Sequence, residues 1–257
     1  MLHWNADPIL FQLGSVAIHW YGVLFAGGFL VGYQLMQWIY RREGYPTEQL
    51  DKLLTYIFIG TVIGARLAHV IFYEPDFYFS HPMEILKIWK GGLASHGGTV
   101  GVLLAIVLFV RQHPENRILW LLDRLAIPTA LTACCIRLGN FMNSEIIGLP
   151  TGSDWGVIFE RVDQLPRHPV QLYEAACYLV TFILLLAMYR WKKVQREGFA
   201  FGLFMVLVFG SRFLLEFIKT AQADYEAGFA ISVGQWLSVP FVLLGIYYMF
   251  KARTPRV

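Results

Sequence analysis

The sequence predicts an all-α, polytopic membrane protein of about seven transmembrane helices, with the amino terminus outside and the carboxyl terminus cytoplasmic. Three observations carry this. Hydrophobic residues make up 56% of the 257 residues and charged residues only 15%, against about 25% charged in an ordinary soluble domain; mean hydropathy is +0.50. Seven apolar stretches of near-spanning length follow one another, where a span needs about 20 mostly apolar residues. Lys and Arg gather in alternate connections, which sets orientation.

The first residues, MLHWNADPIL, lack the basic region of a signal peptide, so the first apolar segment, about 17–39, is expected to be retained as a helix. His19, Trp20 and Tyr21 stand at its outer end. The second segment, about 51–73, runs outward with Arg66 in its outer half. The third, about 95–111, begins in GGLASHGGTVG, with Ser95 and His96 at its mouth. The fourth, about 118–138, runs without a break into IRLGNFMNSE and so ends in Arg137, Asn140, Asn143 and Glu145. The fifth, about 170–190, opens with Gln171, Tyr173 and Glu174. The sixth, about 200–218, carries Arg212, Glu216 and then Lys219, and the seventh covers about 233–251. Gly28/Gly32, Gly60/Gly64 and Gly97/Gly101 each have the small-xxx-small spacing of close helix packing in lipid; in a chain with 23 glycines, chance accounts equally well for any one of them.

One set of connections holds Arg41, Arg42, Arg111, Arg117, Arg190, Lys192, Lys193, Arg196, Lys251, Arg253 and Arg256; the other holds Lys87, Lys90, Arg161, Arg167 and Lys219. The richer set is read as cytoplasmic. The two longer connections, about 74–94 and 139–169, then lie outside. Their mixture of aromatic and charged residues suits segments lying at the membrane interface. No repeat or linker divides the chain, so residues 1–257 read as a single integral membrane domain.

Some classes are excluded. The net charge of +3 is spread along the chain, with no basic block for nucleic acid. Cys134, Cys135 and Cys177 all lie inside apolar runs, with neither metal nor disulfide spacing. No metal and no cofactor are expected.

On this topology, six of the seven segments bring polar groups to one depth, the outer leaflet; the inner half shows little beyond Asp51/Lys52 and Asp123/Arg124. Ionisable groups in a membrane are costly and usually line a site. A single pair such as Arg212/Glu216, at i,i+4 spacing, is accounted for by structure alone. Arg66, Arg137 and Arg212 from three helices at one level are not so easily explained. Guanidinium forks suit phosphate, and a Gly-rich helix start near Ser95 offers free N–H groups to an anion. A phospholipid headgroup is therefore the candidate ligand. His96 is the candidate proton acceptor, or an interfacial histidine that only hydrogen-bonds. Tyr21 is either a donor to an oxyanion or part of the aromatic belt.

These residues also carry a resemblance. HWYG at 19–22, GARLAHVIFY at 64–73, GGLASHGG at 91–98, RLGNFMNSEIIG at 137–148, LPRHPVQLYEA at 165–175 and SRFLLEF at 211–217 run in the order found in the prolipoprotein diacylglyceryl transferases of bacterial inner membranes. The sequence resembles that family over nearly its whole length. The resemblance implies a seven-helix, multi-pass protein of the bacterial cytoplasmic membrane with its active site toward the outer leaflet. It implies transfer of a diacylglyceryl group from phosphatidylglycerol to the lipobox cysteine thiol of a preprolipoprotein signal peptide, with thioether formation and release of glycerol phosphate. Among membrane lipids, phosphatidylglycerol is then the substrate, and Arg137 falls on the family's phosphatidylglycerol-binding arginine. His96, Tyr21, Asn140, Asn143, Glu145, Gly148, Arg212 and Glu216 fall on other functional positions of the family. Arg137 and Arg212 would stabilise the leaving phosphate while Asn140, Asn143 and Glu145 orient its glycerol; whether His96 or a carboxylate is the base stays open. The chain departs from the family at Val208, where a Tyr is common, and at Lys219, where Arg is common and the planar fork is lost.

The alternative function is a phospholipid or organic-anion transporter with an outer-leaflet anion site. The polar groups do not continue into the inner half, which argues against it. An intramembrane serine protease is not supported, because GLASHG lacks the G-x-S-x-G spacing.

Overall fold

The computed structural model describes residues 1–14, 16–191, 196–220 and 232–251. Lys192, Lys193, Arg253 and Arg256 of the orientation argument lie outside the described residues. Seven long helices occupy the seven expected segments: α1 Trp20–Glu43, α2 Thr47–Phe72, α4 Ser95–Gln112, α5 Ile118–Met142, α6 Val170–Arg190, α7 Phe199–Leu215 and α8 Val233–Lys251, with a short α3 at Pro75–Ser80. Five stretches, Trp20–Glu43, Thr47–Phe72, Ile118–Met142, Val170–Arg190 and Phe199–Ile218, are long and apolar enough to cross a membrane, and His96–Gln112 is a shorter apolar helix. The chain is a multi-pass, all-α membrane protein.

The helices are apolar outward and polar inward. Phe25, Phe29, Phe58, Ile63, Leu104, Val180, Ile183 and Leu243 are exposed, while Arg66, Asp123, Asn140, Gln171, Glu174, Thr181 and Lys219 are buried. In water such surfaces would aggregate; in lipid they need no covering.

The chain forms two compact units, Met1–Met36 with Leu122–Val257, and Gln37–Leu121. In the first unit, Gly28 and Gly32 of α1 let α5 approach: a Cβ at Gly28 would sit 3.0 Å from Cys135 Sγ, and one at Gly32 would sit 3.0 Å from Pro128 Cβ. Helices α7 and α8 meet at Gly202 and Gly245, each facing the other's carbonyl oxygen, and Phe209 stacks on Phe241 at 4.4 Å. Asp123 accepts from the N–H groups of Gly198 (2.7 Å) and Phe201 (2.8 Å) and so caps the start of α7. That gives a structural account of one of the two inner-half ion clusters.

The strands were not expected. β1 (Leu2–Trp4) pairs in parallel with β4 (Val157–Phe159), and β4 pairs antiparallel with β5 (Pro166–Arg167). A hairpin of β2 (Ile9–Leu13) and β3 (Val16–His19) precedes α1, so His19 ends a strand and the first helix begins at Trp20 rather than near 17. Trp4 packs on Phe141 at 4.3 Å and its indole donates to the Phe141 carbonyl, closing a small core with Val157 and Phe159 over the end of α5. The β1–β4 pairing brings the amino terminus beside the 139–169 connection.

In the second unit, the other two glycine pairs face one another. A Cβ at Gly60 would lie 2.5 Å from the Gly101 carbonyl, and Gly64 meets Gly97 and Gly101 as closely. The obstructing atoms are backbone and cannot step aside. Gly101→Leu should therefore cost at least the ~1–3 kcal/mol typical of overpacking, read as a lower melting temperature of the detergent-solubilised protein. An unchanged melting temperature would show that α2 and α4 do not need this approach.

Candidate active site

The polar end of α5 is built by a break in helical geometry. The Asn143 N–H still reaches the Gly139 carbonyl (3.1 Å), but Ser144 and Ile146 then take φ of +57° and +56°. Left-handed backbone is unusual for a β-branched residue, and such strain costs about 1–3 kcal/mol. The two reversals turn Glu145 back toward the helix. Its N–H donates to the Asn140 carbonyl (2.9 Å), and its carboxylate accepts from Asn140 Nδ2 and Asn143 Nδ2, each at 3.1 Å. Gln171 Nε2 donates to the Glu145 carbonyl at 2.7 Å and ties this turn to α6.

Glu174, one turn further along α6, is fully buried and shared by two cations. Arg137 Nε lies 2.8 Å from its Oε2, and Lys219 Nζ donates to its Oε1 at 2.8 Å. Arg137 also donates to Asn140 Oδ1 at 3.2 Å, and Lys219 to Glu216 Oε2 at 3.0 Å. The i,i+4 spacing allowed an Arg212–Glu216 pair. The chain makes Glu216–Lys219 instead, because it tightens into a 3-10 turn over Glu216–Ile218. Arg212, half-buried in the last turn of α7, has no ion-pair partner among the described residues. Arg137 and Arg212 both act electrostatically on the buried Tyr178 hydroxyl. Arg137, Arg212 and Lys219 thus stand with three carboxylates, Glu174, Glu216 and, through Asn140, Glu145, so the charges of this network balance.

Gly148 fixes the position of Lys219. Its N–H donates to the His168 carbonyl (3.1 Å), and Leu149 N–H reaches the Ile218 carbonyl (2.8 Å), so that Gly148 and Lys219 stand as a bridge pair. A Cβ at Gly148 would lie 2.5 Å from the His168 carbonyl and 2.7 Å from Val170 Cγ2, which accounts for the glycine. Arg167 donates to the Gly148 carbonyl (3.0 Å) and pairs with Asp163. That guanidinium holds the Asp163 carboxyl below the usual carboxylate range. A depressed native value contributes stability that is present above about pH 4 and is lost as pH falls through it.

Tyr21 lies across α5 at the turn between Arg137 and Asn140. Gly139 has no side chain there, and a Cβ would come within 2.7 Å of the Tyr21 ring. The Tyr21 hydroxyl has no hydrogen-bond partner among the described residues. Five buried polar atoms in the same region also lack hydrogen-bond partners among the described residues: Asn143 Oδ1, Ser144 Oγ, His168 Nδ1, Gln171 Oε1 and Glu174 Oε2, the last with only its ion-pair contact to Arg137. Such atoms are expensive unless something satisfies them.

The remaining predicted residues, Arg66 and His96, belong to the second unit. His96 is exposed in the first turn of α4, whose N-cap, Ala94, offers no side-chain bond. Arg66 is not an open fork. Four of its N–H groups already donate to the carbonyls of Glu84, Ile85, Gly91 and Gly92, at 2.6–3.0 Å. The residues given no role from sequence are Glu174, Gln171 and Tyr178; the signal available for the first two was polar groups at i,i+3 opening an apolar helix.

The model of the family described as prolipoprotein diacylglyceryl transferase matches residues 8–251. The chain is 73% identical over 256 residues to the phosphatidylglycerol–prolipoprotein diacylglyceryl transferase of Tolumonas auensis, covering 100% of this chain and 99% of that protein. Its likeness to the protein of the same name from Chloroherpeton thalassium is 50% over 98% of this chain and 94% of that one. For the one from Bacteroides fragilis it is 43%, over 97% and 94%.

Proposed function

This chain belongs to the prolipoprotein diacylglyceryl transferase family, and we propose that it transfers a diacylglyceryl group from phosphatidylglycerol to the lipobox cysteine thiol of preprolipoproteins. The observation that carries this to the site is the buried ion cluster at the end of α5, where Arg137 and Lys219 share one buried carboxylate and Arg212 has no ion-pair partner among the described residues.

The reaction needs a thiolate to attack the glycerol carbon that bears the phosphate. The C–S bond forms, the C–O bond breaks, and glycerol phosphate leaves with the electron pair. Arg137 and Arg212 bind the phosphate and stabilise the charge that builds on it, the usual task of a cationic clamp in a water-poor site. Lys219 sits between Glu216 and Glu174, and Glu174 pairs with Arg137 at its Nε while Asn140 accepts from another nitrogen of the same guanidinium. Asn140, Asn143 and Glu145 orient the headgroup glycerol, and the unpartnered Asn143 and Gln171 oxygens suit its hydroxyl donors. Gly148 leaves room for His168 and Val170 beside it and bridges to Lys219. Tyr21 donates to an oxyanion, and His96 takes the thiol proton.

In this reading residues 1–257 act as one integral membrane domain in the bacterial cytoplasmic membrane. The amino terminus and the connections at about 74–94 and 139–169 face the outer leaflet, where lipobox signal peptides present their cysteines. Purified protein incubated with phosphatidylglycerol and a lipobox peptide should add a diacylglyceryl mass to the cysteine and release glycerol phosphate. A peptide that gains no mass would refute the assignment. For topology, a cysteine introduced at Asp154 should react with an impermeant maleimide added to intact spheroplasts, and one at Glu43 should not; the reverse pattern would invert the orientation.

A further inference from the structure

Arg66 reads in the sequence as a phosphate ligand. Its surroundings describe another task. Arg66 is 4% exposed. Nε donates to the Ile85 carbonyl at 2.8 Å, one terminal nitrogen donates to Gly91 (2.7 Å) and Gly92 (3.0 Å), and the other donates to Glu84 (2.6 Å). The plane also lies over the Tyr78 ring, 4.8 Å from its centroid. A guanidinium has five donors in a rigid fork, and four of them are spent on backbone oxygens of one segment. That segment needs such a fastening. Residues 84–92 contain only 3-10 turns, and Gly91 and Gly92 both have positive φ, of 89° and 74°. One more bond, from Ala94 N–H to the Ala65 carbonyl at 2.9 Å, joins the segment to α2 at the residue beside Arg66. Two residues later comes His96, in the first turn of α4. Gly92 has no room for a side chain: a Cβ would lie 2.6 Å from an Arg66 terminal nitrogen and 2.7 Å from the His69 ring.

We infer that Arg66 is a positioning residue, which clamps residues 84–92 to α2 and thereby sets where α4 begins and how His96 is presented. The inference rests on the proton-accepting role proposed for His96, and it removes Arg66 from the set that touches the lipid phosphate. Lysine cannot replace it, because three donors on one flexible nitrogen cannot reach four carbonyls arranged around a plane.

Two substitutions test the clamp from opposite sides. Arg66→Lys keeps the charge and loses the fork. Gly92→Ala keeps Arg66 and pushes the turn away from it. Displacement of a catalytic group by about 1 Å costs on the order of 10²-fold, so each variant should lose roughly 10- to 100-fold in kcat. The KM for phosphatidylglycerol should stay within about two-fold of wild type, because uniform binding is untouched. In a His96→Asn background neither substitution should lower the rate further. Carbethoxylation of His96 by diethyl pyrocarbonate, followed by peptide mass in the full-length detergent-solubilised protein, should change in rate in both variants. A raised KM with kcat held would overturn the inference and return Arg66 to the phosphate. So would unchanged His96 carbethoxylation, or a loss of activity that only follows the folded fraction seen by size exclusion. A wild-type rate in His96→Asn alongside altered carbethoxylation would instead defeat the role given to His96 and leave the clamp standing.

Discussion

Arg137→Ala is expected to abolish detectable transfer while the chain still inserts and folds. The expected size follows from the role: removing one preorganised donor from a developing oxyanion typically costs 10²–10³-fold, and Arg137 also carries the charge that attracts the lipid phosphate. Folding should survive because Glu174 keeps a second cation. Breaking a buried ion pair usually costs about 3–5 kcal/mol by stranding the partner; here Glu174 Oε1 still accepts from Lys219 at 2.8 Å, so the melting temperature should drop without loss of the fold. Arg137→Lys separates charge from geometry. A single ammonium cannot both approach Glu174 Oε2 and donate to Asn140 Oδ1 while presenting a planar edge to phosphate, so this variant should also remain strongly impaired. Rates would be taken from the thiol-lipidation assay at saturating phosphatidylglycerol, with thermal unfolding in detergent as the control. A near-normal rate for Arg137→Lys would show that point charge suffices and that the Glu174–Arg137 geometry is incidental.

That geometry also marks where the sequence stops being readable. The seven helices were legible because lipid imposes a length and an apolar composition on each of them. The glycine pairs were legible as spacing, although only the structure shows that Gly60/Gly64 of α2 faces Gly97/Gly101 of α4. The polar end of α5 stood out because charge at that depth is costly. What composition and periodicity do not encode is which groups meet. Glu174 and Lys219 are 45 residues apart, and the link between them passes through the Gly148–Lys219 bridge, a feature with no local pattern. Glu216 takes Lys219 rather than Arg212 because the helix tightens where i and i+3 come into line. Strands of two or three residues, such as β1, β4 and β5, are too short to show alternation, and β1 finds its partner more than 150 residues away. Arg66 meets the same limit: a sequence shows donors, but it does not show which backbone carbonyls lie in wait for them.

His96→Asn should lose most of the rate, on the order of 10²–10⁴-fold if the imidazole takes the thiol proton in the transition state. Asparagine keeps hydrogen-bonding capacity at the first turn of α4 but accepts no proton. Two accounts of His96 then predict different curves of rate against pH. As a base, the imidazole must be unprotonated, so the wild-type rate falls in acid as it takes up a proton, and the Asn variant loses that limb. Raising the pH should partly rescue the variant, because a free thiol ionises near pH 8.5 and the thiolate then needs no acceptor. If His96 only hydrogen-bonds the phosphate or steadies the helix start, the variant should show a raised KM for phosphatidylglycerol and no rescue by alkali. The imidazole is exposed and has no hydrogen-bond partner among the described residues, so neither account is decided by a contact and the pH curves must separate them. Parallel pH profiles for the two proteins at saturating lipid would rule out the base and leave the peptide thiol to another acceptor, for which Glu145, the exposed carboxylate at the end of α5, is the candidate.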